Sequence, residues 1–152
     1  MTTPMRIGEF AKVTECPVET IRYYEREGLL PTPARGSNNY RLYGDAQAAR
    51  LRFIRNCRSL DMTHEEIRAL LAFREAPERP CEDVNALLDE HIGHVARRIR
   101  ELETLKRELR ALRDQCQTVR AARDCRIMRS LDRGVKRSKA SHQHGRLNRT
   151  HP

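Results

Sequence analysis

The sequence predicts a mainly α-helical chain: a small winged head, one long helix, and a loop with a short helix beyond it. Three observations predict this architecture. Two amphipathic stretches between Ile7 and Glu27 are split by the turn Thr14-Glu15-Cys16. A heptad-like series of apolar residues extends from Val84 to Cys116. Pro77 and Pro80 interrupt the chain between the two patterns.

In the first helix Ile7, Phe10 and Ala11 share one face, because residues three and four apart lie on the same side of a helix. Pro17 suits the first position of a second helix, and Glu19 suits the positive end of its dipole. That helix runs from Val18 to Glu27, where Gly28 caps it and Pro31 prevents continuation. Two short helices joined by a tight turn make a helix-turn-helix. Gly36-Ser-Asn-Asn then supplies turn residues ahead of the strand-like Tyr40-Arg-Leu-Tyr, which reads as a wing. A third helix from near Asp45 carries Leu51, Phe53, Ile54 and Leu60 as apolar positions, with Arg50, Arg52, Arg55 and Arg58 on its other faces. Thr63 and Glu66 form a capping box for a fourth, Glu65 to Arg74.

From Leu88 the apolar positions continue as Ile92, Val95, Ile99, Leu102, Leu105, Leu109 and Leu112, ending at Cys116. Their spacings alternate four and three, with one repeated three at Leu102 to Leu105, the mark of a stammer in a heptad seam. A lone helix with polar outer faces has nothing to bury that seam against, so it needs a partner helix. The expected divisions are 5–75 for a winged helix-turn-helix domain, 76–81 for a hinge, 82–116 for a dimerisation helix, and 117–132 for a loop and short helix. Residues 133–152, basic, His-containing and nearly free of apolar side chains, read as a disordered tail.

The chain carries a net charge of +9, much of it in that tail. A basic N-terminal segment fits attraction to nucleic acid, since neutralising phosphates releases counterions. At 152 residues there is no room for a large catalytic core. No His-Glu-x-x-His sequence, Gly-rich phosphate loop or Ser/His/Asp set is visible, so the chain does not read as an enzyme. The N-terminus lacks a signal-peptide stretch and no apolar run approaches the roughly 18 residues of a membrane span, so a cytoplasmic protein without a membrane partner is expected. In that reducing compartment five cysteines, an odd number, argue against a disulfide framework.

Cys81 stands before the long helix, Cys116 at its far end and Cys125 across a short loop. At a rise of about 1.5 Å per residue, the first two lie roughly 50 Å apart within one chain. Joint action of the three thiols therefore requires two chains. Antiparallel pairing lays Cys81 of one subunit beside Cys116 and Cys125 of the other, giving two identical sites per homodimer. Three thiolates select soft or borderline ions. The plain alternative is burial as small apolar residues, the reading preferred for Cys16 and Cys57. His91 and His94, one turn apart, are a candidate second metal site closed by His142, His144 and His151, or else exposed histidines that bind nothing. For double-stranded DNA the candidates are Thr20, Arg22 and Tyr23 on the second helix and Tyr40 and Arg41 on the wing, with Tyr24 assigned to the core.

These residues resemble the MerR transcriptional regulators. Ile7-Gly-Glu-Phe-Ala-Lys, Glu19-Thr-Ile-Arg-Tyr-Tyr-Glu-Arg-Glu-Gly-Leu-Leu-Pro and Asn39-Tyr-Arg-Leu-Tyr are similar to its winged helix-turn-helix, and the resemblance runs through Leu131. Phe53-Ile-Arg-Asn-Cys-Arg-Ser-Leu-Asp-Met and Val84-Asn-Ala-Leu-Leu-Asp-Glu-His-Ile resemble its lead- and cadmium-responsive (PbrR/CadR-like) branch, whose three metal ligands fall on Cys81, Cys116 and Cys125. The resemblance implies a homodimer on promoter DNA whose spacer is too long for RNA polymerase to engage both elements. Metal binding then twists that DNA into an active geometry. Pb(II) or Cd(II) is the implied effector; Zn(II) or Hg(II) is the alternative, and the eight residues between Cys116 and Cys125 also fit mercury-responsive members. Two readings of other kinds stand beside it: a thiol redox sensor, and a DNA-binding or scaffolding coiled coil without an effector.

Overall fold

The structure, a computed structural model, describes residues 3–134. Its helices are α1 (Ile7–Val13), α2 (Val18–Arg26), α3 (Asp45–Ser59), α4 (His64–Glu75), α5 (Glu82–Asp114) and α6 (Arg126–Arg133), with a 3-10 turn at Ala122–Asp124. The chain divides into two compact units within α5, between Leu87 and Leu88.

The core of the first unit is built from Phe10, Ile21, Leu29, Leu30, Tyr43, Leu51, Ile54 and Ile67, all nearly inaccessible to solvent. Ile7 and Ala11 pack beside Phe10, and Tyr24 is buried. Pro17 stands at the N-cap of α2 instead of its first turn. Gly28 follows the C-cap at φ +70°, where its N–H donates to the Glu25 carbonyl at 3.1 Å and the Leu29 N–H donates to the Tyr24 carbonyl at 3.0 Å. A side chain at that left-handed position costs about 1 kcal/mol, so glycine suits it. The reversal drops Leu29 and Leu30 straight into the core.

Two sequence expectations change here. Leu60 caps α3 and is 62% exposed; the chain turns at Asp61, φ +57°, and Met62 takes the buried place instead. The wing forms no strand among the described residues, only single bridges between Met5 and Tyr43 and between Arg35 and Arg41. The loop is too tight for a longer ladder: Asn39 adopts φ +64°, and Gly36 and Tyr40 close around it through a 2.8 Å backbone bond. The capping box of α4 is present, with the Thr63 N–H donating to Glu66 Oε2 at 2.7 Å and the Glu66 N–H donating to Thr63 Oγ1 at 3.2 Å.

Beyond α4, residues 77–81 lead into α5, whose first helical bond runs from the Asn85 N–H to the Cys81 carbonyl at 3.0 Å. Along α5, Ile92, Val95, Ile99, Leu102 and Leu109 stand between 42% and 63% exposed in the single chain. The helix ends at Asp114, two residues before Cys116, and a 3.3 Å bond from the Cys116 N–H to the Arg113 carbonyl tightens the exit.

Candidate DNA-facing groove and thiol centre

The start of α1, the exposed side of α2 and the wing enclose a concavity of about 740 Å³. Five cations, Arg6, Lys12, Arg22, Arg35 and Arg41, line it against the carboxylates of Glu9 and Glu25. Cations that contact phosphates fix the register of a protein on a duplex, and these five make the groove a candidate for that role. Of the sequence candidates, Arg22, Tyr40 and Arg41 line the groove. Thr20 is half-buried and Tyr23 does not line the groove, its ring lying 5.6 Å from that of His64 on α4. Arg6, Lys12 and Arg35 were not among those candidates. The Arg6 guanidinium sits 3.8 Å over the Tyr40 ring, a contact across 34 positions that no periodicity announces. Arg35 Nη1 donates to the Asn39 carbonyl at 3.2 Å and to its side-chain oxygen at 3.3 Å, holding the wing turn closed.

The groove has a rigid floor. Tyr43 stacks on Phe10 with ring centroids 4.7 Å apart and donates its hydroxyl to Glu25 Oε1 at 2.6 Å. Burial, then the bond to Glu25, hold its phenol well above the ordinary tyrosine range.

The five cysteines fall into two groups. Cys16 and Cys57 are core residues, 3% and 6% exposed, and burial pushes both thiols up. Cys81, Cys116 and Cys125 lie outside the core. Cys125 is the N-cap residue of α6, and its thiol is held below the ordinary range chiefly by the Met128 backbone N–H. Slight burial opposes this; the Ile127 N–H and the neighbouring Cys116 side chain add to it. The structure thus brings Cys116 and Cys125 together within one chain. A 2.6 Å hydrogen bond from Ser130 Oγ to Gln115 Oε1 fastens α6 beside the end of α5. Cys116 also meets the Thr118 carbonyl at 3.6 Å and opens on a cleft of about 340 Å³ that Asp114 and Asp124 share. Cys81 is exposed and stands before the first residue of α5, a 33-residue helix about 50 Å long. Adjacent, half-buried thiols on a polar loop outside the core fit a soft ion better than they fit packing.

His94 lies on α5 with Nε2 3.9 Å from Glu90 Oε1, and His91 stands one turn before it. His142, His144 and His151 lie outside the described residues, as does nearly all of the expected tail.

Residues 5–73 match the MerR HTH family regulatory proteins, and residues 48–112 match the family described as MerR, DNA binding. The chain belongs to the MerR family. A Haemophilus influenzae relative, a ZntR-homolog HTH-type transcriptional regulator, is 48% identical over 111 residues, 73% of this chain and 82% of that protein. Among solved structures, the MerR-family match extends to PbrR691 of Ralstonia metallidurans CH34 in complex with lead(II). It is 52% identical at TM-score 0.75, covering 84% of this chain and 98% of that one. The dual-function regulator MerR of Bacillus megaterium MB1 in complex with mercury(II) is 30% identical at TM-score 0.66, covering 84% and 99%. As a MerR protein the chain is a DNA-binding transcription regulator, not an enzyme, with the mainly helical architecture its sequence predicts. Among the described residues no helix is long and apolar enough to cross a membrane.

Proposed function

We propose that this MerR-family regulator senses a soft metal ion through Cys81, Cys116 and Cys125, with Pb(II) as the first candidate inducer, Cd(II) as the next, and Zn(II) or Hg(II) as alternatives. The observation that carries the reading is the adjacency of the Cys116 and Cys125 thiols at the exposed end of α5, while Cys16 and Cys57 are sequestered in the core. The lead(II)-bound relative, at 52% identity, favours lead over the mercury(II)-bound one at 30%.

The third ligand comes from a partner. Antiparallel pairing of two α5 helices covers the exposed seam from Leu88 to Leu109 and carries Cys81 of one subunit to the thiol pair of the other. Residues 76–81 then act as the hinge between a winged DNA-binding domain and the dimerisation helix. Arg22, Tyr40 and Arg41, joined by Arg6, Lys12 and Arg35, hold promoter DNA in the cytoplasm, where RNA polymerase is the downstream partner. The ion binds one dimer conformation more tightly than the other, and α5 and the hinge pass that bias to the heads. His91 and His94, with the tail histidines, are a second and weaker metal candidate.

Metal titration of the reduced protein tests the reading. A thiolate-to-metal charge-transfer band should saturate at one ion per subunit, vanish in Cys116→Ser and persist in Cys57→Ser. Mixing Cys81→Ser chains with Cys116→Ser/Cys125→Ser chains should restore one complete site per heterodimer; no restoration rejects a site shared between subunits. The same thiol adjacency favours redox sensing as a second reading. Absence of any metal band, with peroxide-dependent transcription in its place, would select it.

A further inference from the structure

Glu25 is the side chain that a phosphate-binding groove has least reason to hold. Its carboxylate lines a wall shared with five cations, where a bare negative charge repels the DNA backbone. Yet it is firmly engaged. Tyr43, 1% exposed, donates to it at 2.6 Å, the length of a charge-assisted hydrogen bond. Tyr43 is itself fixed from two other directions. Its backbone exchanges both hydrogen bonds with Met5, at 2.9 and 2.8 Å, and its ring stacks on Phe10. Arg22 stands one helical turn before Glu25 on α2, and Arg41 stands two residues before Tyr43 at the end of the wing. The Glu25–Tyr43 bond is therefore the direct tie between the element carrying Arg22 and the element carrying Arg41.

We propose that Glu25 is a positioning residue for DNA recognition: through Tyr43 it fixes the spacing between Arg22 and Arg41, and so determines sequence specificity at a cost in general affinity. This rests on the groove being the DNA-facing surface. Phosphates of a duplex are spaced rigidly, so two cations held at one separation favour one register, whereas cations on a loose wing bind phosphates without selecting among sequences.

The positioning role and plain electrostatics predict opposite signs. Binding is measured with the full chain on two probes, a duplex selected by the wild-type protein from a random library and a shuffled duplex of equal length. If Glu25 is only a negative charge, Glu25→Ala tightens both probes by the same factor. If it positions, Glu25→Ala tightens the shuffled probe and weakens the selected one, lowering their ratio about tenfold, the scale of one lost hydrogen bond to a charged group. Tyr43→Phe keeps the ring and its burial, so it should weaken the selected probe alone. Glu25→Gln keeps an acceptor oxygen and should preserve binding to the selected probe while tightening the shuffled one. In the double variant Glu25→Ala/Tyr43→Phe the loss should be no greater than in either single one. Equal tightening of both probes by Glu25→Ala overturns the proposal. So does a Tyr43→Phe protein that melts lower with an unchanged probe ratio. Should Glu25→Ala fail to fold, Glu25→Gln and Tyr43→Phe carry the same contrast. Arg22→Ala and Arg41→Ala separate the underlying reading: if neither weakens either probe, the groove is not the DNA surface.

Discussion

The guanidinium of Arg79 lies 4.1 Å over the ring of Phe73. Phe73 belongs to the last turn of α4, and the same guanidinium reaches Asp83 Oδ2 in the first turn of α5 at 3.2 Å. Arg79 thus clasps α4 and the first turn of α5 across the segment 76–81, two residues from Cys81. Exposed ion pairs and cation–π contacts contribute about 0.5–1 kcal/mol each, enough to bias two conformations of similar free energy and too little to hold the fold. Arg79→Ala is expected to leave metal stoichiometry and metal-free DNA binding intact while changing the ratio of transcription with and without metal by up to about tenfold. An unchanged ratio would remove Arg79 from the coupling.

The α4 cap gives a stability prediction free of any functional assumption. Thr63→Ala removes the acceptor for the Glu66 N–H and should destabilise the head by about 1 kcal/mol in thermal unfolding. Thr63→Ser, which keeps the oxygen, should restore most of that loss.

The thiols predict an order of reactivity. Cys125, held below the ordinary thiol range, becomes a thiolate at lower pH than a free cysteine, so iodoacetamide labelling of the metal-free protein should rise with pH at an inflection below that of a free thiol. The sign for stability follows the same direction. A depressed folded-state pKa contributes stability above the unfolded-state value, and this is lost as pH falls through the folded value. Cys16 and Cys57, raised by burial, should label only when the protein unfolds. Peptide mass spectrometry of partially labelled protein reads this order, and early labelling of Cys57 would contradict it.

The seam can be tested apart from the thiols. Ile99 is 52% exposed in the single chain, so a charge there leaves internal packing alone and acts only on the proposed pairing surface. Ile99→Glu should sediment as a monomer, keep the melting of the winged head and lose the charge-transfer band with its partner. A monomer that retains the full band would show that one chain suffices.

The local grammar of the head was legible. Gly28 and the Thr63/Glu66 pair are chemistry that acts within a few residues, and each stands where its sequence context placed it. Leu60 was misjudged because the left-handed turn at Asp61 rotates the next apolar residue, Met62, into the core. The wing read as a strand from its composition, yet a tight turn limits it to single bridges. The Arg6–Tyr40 and Tyr43–Glu25 contacts join residues 34 and 18 positions apart, and neither has a periodic or motif signal. The eight residues between Cys116 and Cys125 are few enough for a loop to return the second thiol toward the first. The Ser130–Gln115 bond that fastens them was not legible, since polar residues on a loop and a short helix have many partners to choose from.

The burial of Cys16 and Cys57 has a consequence for life in a toxic environment. All the cysteine sulfur of α1 to α4 and the turns between them is screened from solvent. An alkylating agent, or a surplus of thiophilic ions, meets accessible cysteine thiols only beyond Arg79 among the described residues. Under the proposed assignment, blocking the exposed thiols is expected to abolish the metal response while the thiols of the winged head stay unreacted and DNA binding persists.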